Sequence, residues 1–393
     1  MAESRSSVRH RSHPPAERNN WIATAAESIA ARAERELEAL VAVSSPSGDI
    51  AAAEEAIAVV VALLPAAATV QRVPCSSPEH ADDLIARVTG TGDKRLLLLG
   101  HLDTVVPHAE HRPLTRDGDR LTGSGTVDMK GGDVLALGVM RELAERPELF
   151  AEVALLFVVD EEWRSAPFAH AQRFAGFDAC LCFEGGQRGP DGGDEVVVKR
   201  KAAGTIHVQA TGRAAHSGSQ PELGRNALVA IATAALAVAE CNDPAGPDRL
   251  TAVPTIGHAG EALNVVPGTG ELLCDVRADS QRAFQRVIDA IPREHEGVSL
   301  DVTQLREWPG MDARLPTEPV LQRAGALLGR AIGAEQRGGA SDASHLATVI
   351  ETTIDGLGPI GDGAHAADEY VLTSSLRPRA EVALAVAIAA LGG

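Results

Sequence analysis

Five side chains with metal-ligand chemistry stand at the ends of apolar segments of this chain. They are His101 in L-L-L-L-G-H-L-D-T-V, Asp128 in G-S-G-T-V-D-M-K-G-G, Glu162 in V-V-D-E-E-W, Glu184 in C-L-C-F-E-G-G and His365 in G-D-G-A-H-A-A-D-E-Y. Two imidazoles and three carboxylates can hold a pair of divalent ions if one carboxylate is shared. Asp128 is the expected bridge, being the middle ligand and lying on a glycine-framed turn that lets backbone approach closely. Glu161 adjoins Glu162 without being needed as a ligand. It is the expected general base, taking a proton from metal-bound water and passing it to a leaving amine. Together these are the parts of metal-assisted hydrolysis. Zinc suits mixed imidazole and carboxylate donors with open positions, and cobalt or manganese would fit the same set. Asp103, two residues beyond His101, would hold that imidazole in its ligating orientation.

Alone, an H-x-D at a strand end is usually a surface loop, a D-E-E is more often a solvated strand end, and the glycine-rich stretch reads also as a simple turn into a helix. Their order and context join them. Apolar strands expected at Leu96–Leu99, Val153–Val159 and Ala179–Phe183 each lead into a candidate ligand. In open α/β sheets, ligands gather at the carboxyl ends of strands. Helical spacing predicts one helix from Trp21 to Val43, a second from Ala51 to Leu64 stopped by Pro65, and a third after Gly131 and Gly132.

Past Gly204 the texture changes. A strand at Ile206–Gly212, a helix at Asn226–Glu240, strands at Leu250–Gly260 and Glu271–Ala278, and a helix at Ser280–Ile291 follow one another. These are the first five elements of the β-α-β-β-α-β order of a two-layer, ferredoxin-like α/β unit. Residues 204–308 therefore read as an insertion into an α/β catalytic unit made of 21–203 and 309–393. Residues 1–20 read as a polar, disordered tail without the apolar stretch of a secretory signal.

Composition bounds the rest. A chain of 393 residues exceeds one ordinary core. A net charge of −18 argues against nucleic acid as partner, and no apolar run approaches membrane-spanning length. Cys75, Cys180, Cys182, Cys241 and Cys274 are odd in number and mostly in apolar contexts. They read as reduced thiols of a cytoplasmic protein, with Cys180 and Cys182 on one face of their strand.

The motifs H-L-D-T-V, G-x-G-x-x-D-M-K-G-G and D-E-E, in this order, resemble those of the zinc exopeptidase and amidohydrolase family. That family includes glutamate carboxypeptidase, aminoacylase, acetylornithine deacetylase and succinyl-diaminopimelate desuccinylase. The resemblance runs from about Trp21 to the C-terminus and is best to the glutamate carboxypeptidase branch, through A-A-H-S-G, N-V-V-P, D-V-R, G-G-A-S-D-A-S and E-Y-V. It implies that His101 and Glu184 complete one ion's ligands, and Glu162 and His365 the other's. It also implies that the insertion is a dimerisation and lid domain of a homodimer. His216 would then reach the partner's site to polarise the scissile carbonyl, while Arg277 and Asn264 would hold a substrate carboxylate.

Some residues depart from the family's pattern. Trp163 and Arg164 follow D-E-E where small residues are usual, and are expected near the pocket mouth, narrowing or charging it. Trp308 precedes Pro309 where glutamate-releasing relatives carry a basic residue; Lys199, Arg200 and Lys201 are an alternative source of positive charge. Three functions follow as expectations. The first is hydrolysis of an amide beside a free carboxylate, as a carboxypeptidase or N-acyl-amino-acid deacylase. The second is hydrolysis of a carbamoyl or ureido amide on the same scaffold. The third is a non-catalytic dimeric binding protein.

Overall fold

The computed structural model describes residues 15–393. A six-stranded sheet is ordered Thr69–Val73, Asp83–Thr89, Glu152–Val158, Arg95–His101, Ala179–Cys182, Thr353–Ile354. The last four strands run parallel and the first two antiparallel to their neighbours. Parallel strands buried on both faces need continuous apolar sequence, and Leu96–Leu99 and Val153–Val158 supply it. Leu96, Leu98, Leu155, Phe157 and Leu181 face helices Pro15–Val41, Gly131–Ala144 and Thr373–Ala390. Leu97, Leu99, Leu156, Cys180 and Cys182 face the opposite layer, with Phe174, Ala343 and Leu346. Both cysteines are buried and unpaired, packed as core side chains.

The helix Gly131–Ala144 makes the crossover between two of these parallel strands. Its double glycine has a steric cause. A Cβ on Gly132 would lie 1.8 Å from the carbonyl oxygen of Phe183. Only glycine lets this helix start pack on the segment that carries Glu184.

The second sheet is ordered Thr251–Ala259, Thr269–Ala278, Ala202–Thr211, Val298–Trp308, Glu294–His295, all antiparallel. Helices Ala227–Glu240 and Arg282–Ala290 supply Ala230, Ala234, Phe284 and Val287 to its own apolar cluster, with Ile206, Val208 and Val276. The first strand starts at Ala202, ahead of the expected Ile206. Lys201 separates it from Asp194–Arg200, which pairs in parallel with Ile332–Arg337 in another sheet.

The first helix is Pro15–Val41, so it takes in the last residues of the span 1–20 expected as a tail. Proline is tolerated in a first helical turn, where its missing N–H would have no partner. Residues 1–14 of that expectation lie outside the described residues. The second helix is Ile50–Leu63, capped by the Asp49 side chain on the amide of Ala52.

Candidate metal centre and reaction pocket

His101 is the last residue of the strand Arg95–His101 and is 1% exposed. Its Nδ1 lies 3.1 Å from the Asp103 carbonyl oxygen and 3.4 Å from Asp103 Oδ1. Both oxygens accept, so Nδ1 carries the proton and Nε2 is aimed at the site. That nitrogen lies 3.1 Å from Asp128 Oδ1 and 3.9 Å from Glu184 Oε1. From the far side, His365 Nε2 lies 3.2 Å from Asp128 Oδ2 and 3.1 Å from Glu162 Oε2. Each oxygen of Asp128 thus faces a different imidazole. Ligand atoms of His101, Asp128 and Glu184 fall within 4.8 Å of one another, and so do those of Asp128, Glu162 and His365.

The electrostatics fit two cations. Burial drives the Glu161 carboxyl well above its ordinary range and Glu184 up to about 8, with Asp128 adding to the latter. Burial also raises Glu162. Hydrogen bonds to Asp128 and Glu162 push His365 up to about 10. For His101, burial opposes the charge but the bonds to Asp103 and Asp128 prevail, and its pKa is raised as well. Without a metal, protons must take up the negative charge that divalent ions would neutralise.

Backbone groups hold these ligands in place. Asp103 Oδ1 accepts the amide of Glu161 at 3.2 Å, and its Oδ2 that of Glu162 at 3.1 Å. One carboxylate therefore orients His101 and the D-E-E turn together. Glu369 accepts amides from Gly125 at 2.8 Å, Val127 at 2.7 Å and Asp128 at 3.0 Å. Burial pushes Glu369 up to about 7. This residue was visible in the E-Y-V motif, but nothing in the sequence pairs it with the Asp128 turn. His365 adopts a left-handed φ of 66°, a conformation costly for a non-glycine residue and found where side-chain aim matters.

A pocket of about 490 Å³ opens beside the ligands, between the two sheets. Arg200, Arg277, Arg306, Trp308 and Arg337 line it opposite Glu161 and Asp128. Arg277 is already paired with its neighbour, Nε to Asp275 Oδ2 at 2.9 Å. Arg337, which the sequence did not single out, donates Nη1 to the Gly185 carbonyl at 2.8 Å and leaves Nε unpartnered among the described residues. His216 and Asn264 do not line this pocket. They lie together on the exposed pairing of His216 with Val265, with Ser217 donating to the Asn264 carbonyl at 3.0 Å.

Arg164 corrects an expectation. It is buried, not at the pocket mouth, and its guanidinium pairs with Asp160 at 2.8 Å and with Asp342. Trp163 is 64% exposed. Of the basic triplet only Arg200 reaches the pocket, held by Asp355 at 2.6 Å; Lys199 pairs with Asp279, and Lys201 donates to the Arg249 carbonyl.

The sequence profile of Peptidase family M20/M25/M40 matches residues 97–389, a span that takes in every candidate ligand just described. The chain belongs to this family. A carboxypeptidase G2 of Pseudomonas sp. (strain RS-16) is 29% identical over 328 residues, 79% of this chain and 77% of the relative. A succinyl-diaminopimelate desuccinylase of Xylella fastidiosa (strain M23) is 30% identical over 317 residues, 73% of this chain and 81% of its own length. The aminopeptidase PepT of Bacillus cereus superposes with a TM-score of 0.74 at 21% identity, covering 93% of this chain and 99% of that one. The metallo-carboxypeptidase Sso-CP2 of Sulfolobus solfataricus gives 0.70 at 15%, covering 91% and 99%. These two likenesses establish the fold. This M20 chain is thus a metal-dependent peptidase or amidohydrolase, with the α/β catalytic fold and second α/β sheet of its family. No helix among the described residues is long and apolar enough to cross a membrane.

Proposed function

We propose that this chain hydrolyses a peptide or amide bond adjacent to a free carboxylate, using two divalent ions held by His101, Asp128, Glu162, Glu184 and His365. The observation that carries the reading is Asp128, whose two oxygens meet two imidazoles from opposite sides. The bound ions, zinc in the first instance, would supply Lewis acidity to the scissile carbonyl and lower the pKa of the attacking water. Glu161 takes the proton of that water and returns it to the leaving nitrogen. Asp103 keeps Glu161 and Glu162 in register through their amides and His101 through its Nδ1. Arg277, Arg306 and Arg337, which line the pocket, are the cations available to a substrate carboxylate. Arg277 would exchange its Asp275 partner for it.

The reading includes a homodimer joined through the inserted unit, residues 204–308, serving as lid. Val253 and Ile256 are 46% and 48% exposed on a strand at the sheet's edge, and Leu236 on the neighbouring helix is 67% exposed. Apolar exposure along an open edge favours pairing with a second copy. Five free cysteines support a reducing, cytoplasmic setting.

The test is a hydrolysis screen of dipeptides, N-acyl amino acids and N-carbamoyl amino acids with zinc-, cobalt- and manganese-loaded protein, alongside Asp128→Ala. Turnover of the first two classes, and joint loss of metal and activity in Asp128→Ala, are expected. Turnover confined to the carbamoyl compounds would replace the reading with a ureido-amide hydrolase. Two equivalents of metal retained in Asp128→Ala would remove the bridging role.

A further inference from the structure

We propose that the cavity behind Trp308 is a substrate subsite for a planar aromatic ring bearing a hydrogen-bond acceptor on its rim. This rests on the amide-hydrolase reading above and names the kind of substrate that site takes. The cavity, of about 470 Å³, lies between the inserted unit's last strand and the loop after Glu162. It shares Arg306 and Trp308 with the reaction pocket, so the two cavities adjoin across these side chains.

Aromatic residues are 3% of this chain, with only three tryptophans. One of the three, Trp308, lines both cavities, and a second, Trp163, lies beneath Arg306 just outside them. Phe168 and His345 stack with ring centroids 4.9 Å apart at 16°, and Trp308 lies 5.7 Å from His345. Arg164, fixed by Asp160 and Asp342, sits 4.9 Å from the Phe168 ring and 5.8 Å from that of Trp308. The walls are thus ring faces held about an immobile guanidinium. Such surfaces reward a flat π-system through offset stacking and cation–π contact. Arg306 lies 4.5 Å over the exposed Trp163 ring and forms no ion pair among the described residues. It is free to cover a ring entering from the reaction pocket.

Two polar atoms here are buried without a hydrogen-bond partner among the described residues: Trp308 Nε1 and His345 Nε2. Buried polar groups are seldom left unsatisfied, and both side chains line the cavity, so a small turn of either ring would bring its nitrogen to a group bound there. The indole N–H can only donate, so the arriving group must accept. Burial keeps His345 uncharged near neutral pH, so its ring offers one donor and one acceptor rather than repelling Arg164.

The ring can come from the acyl group or from the side chain of the released amino acid. The experiment compares N-(4-hydroxybenzoyl)glycine with N-acetylglycine, and N-acetyltyrosine with N-acetylalanine, on the metal-loaded full chain. In one of the two pairs the aromatic member should have a kcat/KM at least about tenfold higher, and that pair identifies the source. Trp308→Ala and the milder His345→Ala should each cut the aromatic-to-aliphatic ratio at least about fivefold, and Trp308→Phe should recover part of it. Equal rates in both pairs, or a preference that survives Trp308→Ala and His345→Ala, overturns the proposal while leaving amide hydrolysis standing. Should no compound be cleaved, the hydrolase reading fails and binding decides the subsite. Calorimetry should then show N-(4-hydroxybenzoyl)glycine bound at least about tenfold more tightly than N-acetylglycine, with quenching of tryptophan emission that Trp308→Phe reduces. No such difference overturns the subsite too.

Discussion

Glu369 holds Asp128 from behind, accepting its amide at 3.0 Å together with those of Val127 and Gly125, although 241 positions separate the two residues in sequence. The turn that presents Asp128 has non-helical backbone at Asp128 and Met129, so no helical ladder fixes it. Glu369 supplies that constraint. Removing it should loosen the carboxylate on which both halves of the site depend. Glu369→Ala is expected to weaken metal affinity by about 10–100-fold, with turnover partly restored at saturating metal. A metal titration checks this, and unchanged affinity with unchanged turnover would show that the turn holds itself.

Glu161 and Glu162, neighbours in one D-E-E turn, face different surroundings. Glu162 Oε2 is 3.1 Å from His365, whereas Glu161 lines the pocket. Glu161→Gln keeps size and hydrogen-bonding capacity but cannot take a proton. It should retain metal and lose at least about a hundredfold in turnover. Glu162→Gln should instead lose metal. An assay pairing elemental analysis with kcat separates them, and metal loss in Glu161→Gln means the two roles are exchanged.

The side chains that meet at the candidate metal centre could be picked out because three parallel strands end at or just before them, a pattern that apolar runs announce. The two-layer insertion was legible from its alternation of strands and helices. What escaped was long-range pairing. Arg164 follows D-E-E and reads as a charge at the pocket mouth, yet Asp342, 178 positions away, draws it inward. Arg337 ends a strand whose sequence, Ile332–Arg337, shows little apolar alternation, and its place on the pocket wall depends on parallel pairing with Asp194–Arg200. The start of the strand at Ala202 was hidden because two alanines give no alternation to read. His216 and Asn264 sit together yet away from their own pocket, a placement no linear motif specifies.

The metal-free protein should lose stability as pH rises from about 6.5 to 8. Burial pushes Glu184 up to about 8 from the ordinary 4.5, and hydrogen bonds to Asp128 and Glu162 push His365 to about 10 from 6.5. Across this window the folded chain keeps protons that the unfolded chain has released, so raising the pH favours unfolding. Opposing groups are quiet there: burial lowers His345 to about 4, which acts below the window, and Lys130 to about 8, which acts above it. Metal should reverse the trend, because cations replace those protons. Melting scans of chelated and zinc-loaded protein at pH 6.5 and 8 test this, with the larger metal-induced rise in Tm expected at pH 8. A chelated protein more stable at pH 8 would contradict it.

His216 decides whether the site is shared between subunits. Its Nδ1 accepts amides from Gly218 and Ser219, each at 3.1 Å, so the Nε2 proton points away from its own loop. The side chain is exposed and does not line its own chain's pocket, so in a lone subunit it has no substrate to touch. If it completes the partner's site, two differently disabled subunits should rescue each other. In a heterodimer of His216→Ala with Glu161→Gln, one site combines an intact Glu161 with the partner's intact histidine, and the other lacks both. Each heterodimer should then recover about half the activity of a wild-type dimer, since the two losses fall in a single site. Equimolar mixing with free exchange makes about half of all dimers mixed, so bulk activity should approach about a quarter of wild type. If His216 instead served its own subunit, both sites of the mixed dimer would stay defective. Activity after verified exchange distinguishes the two, and a flat baseline would assign His216 to its own loop's structure or its own pocket.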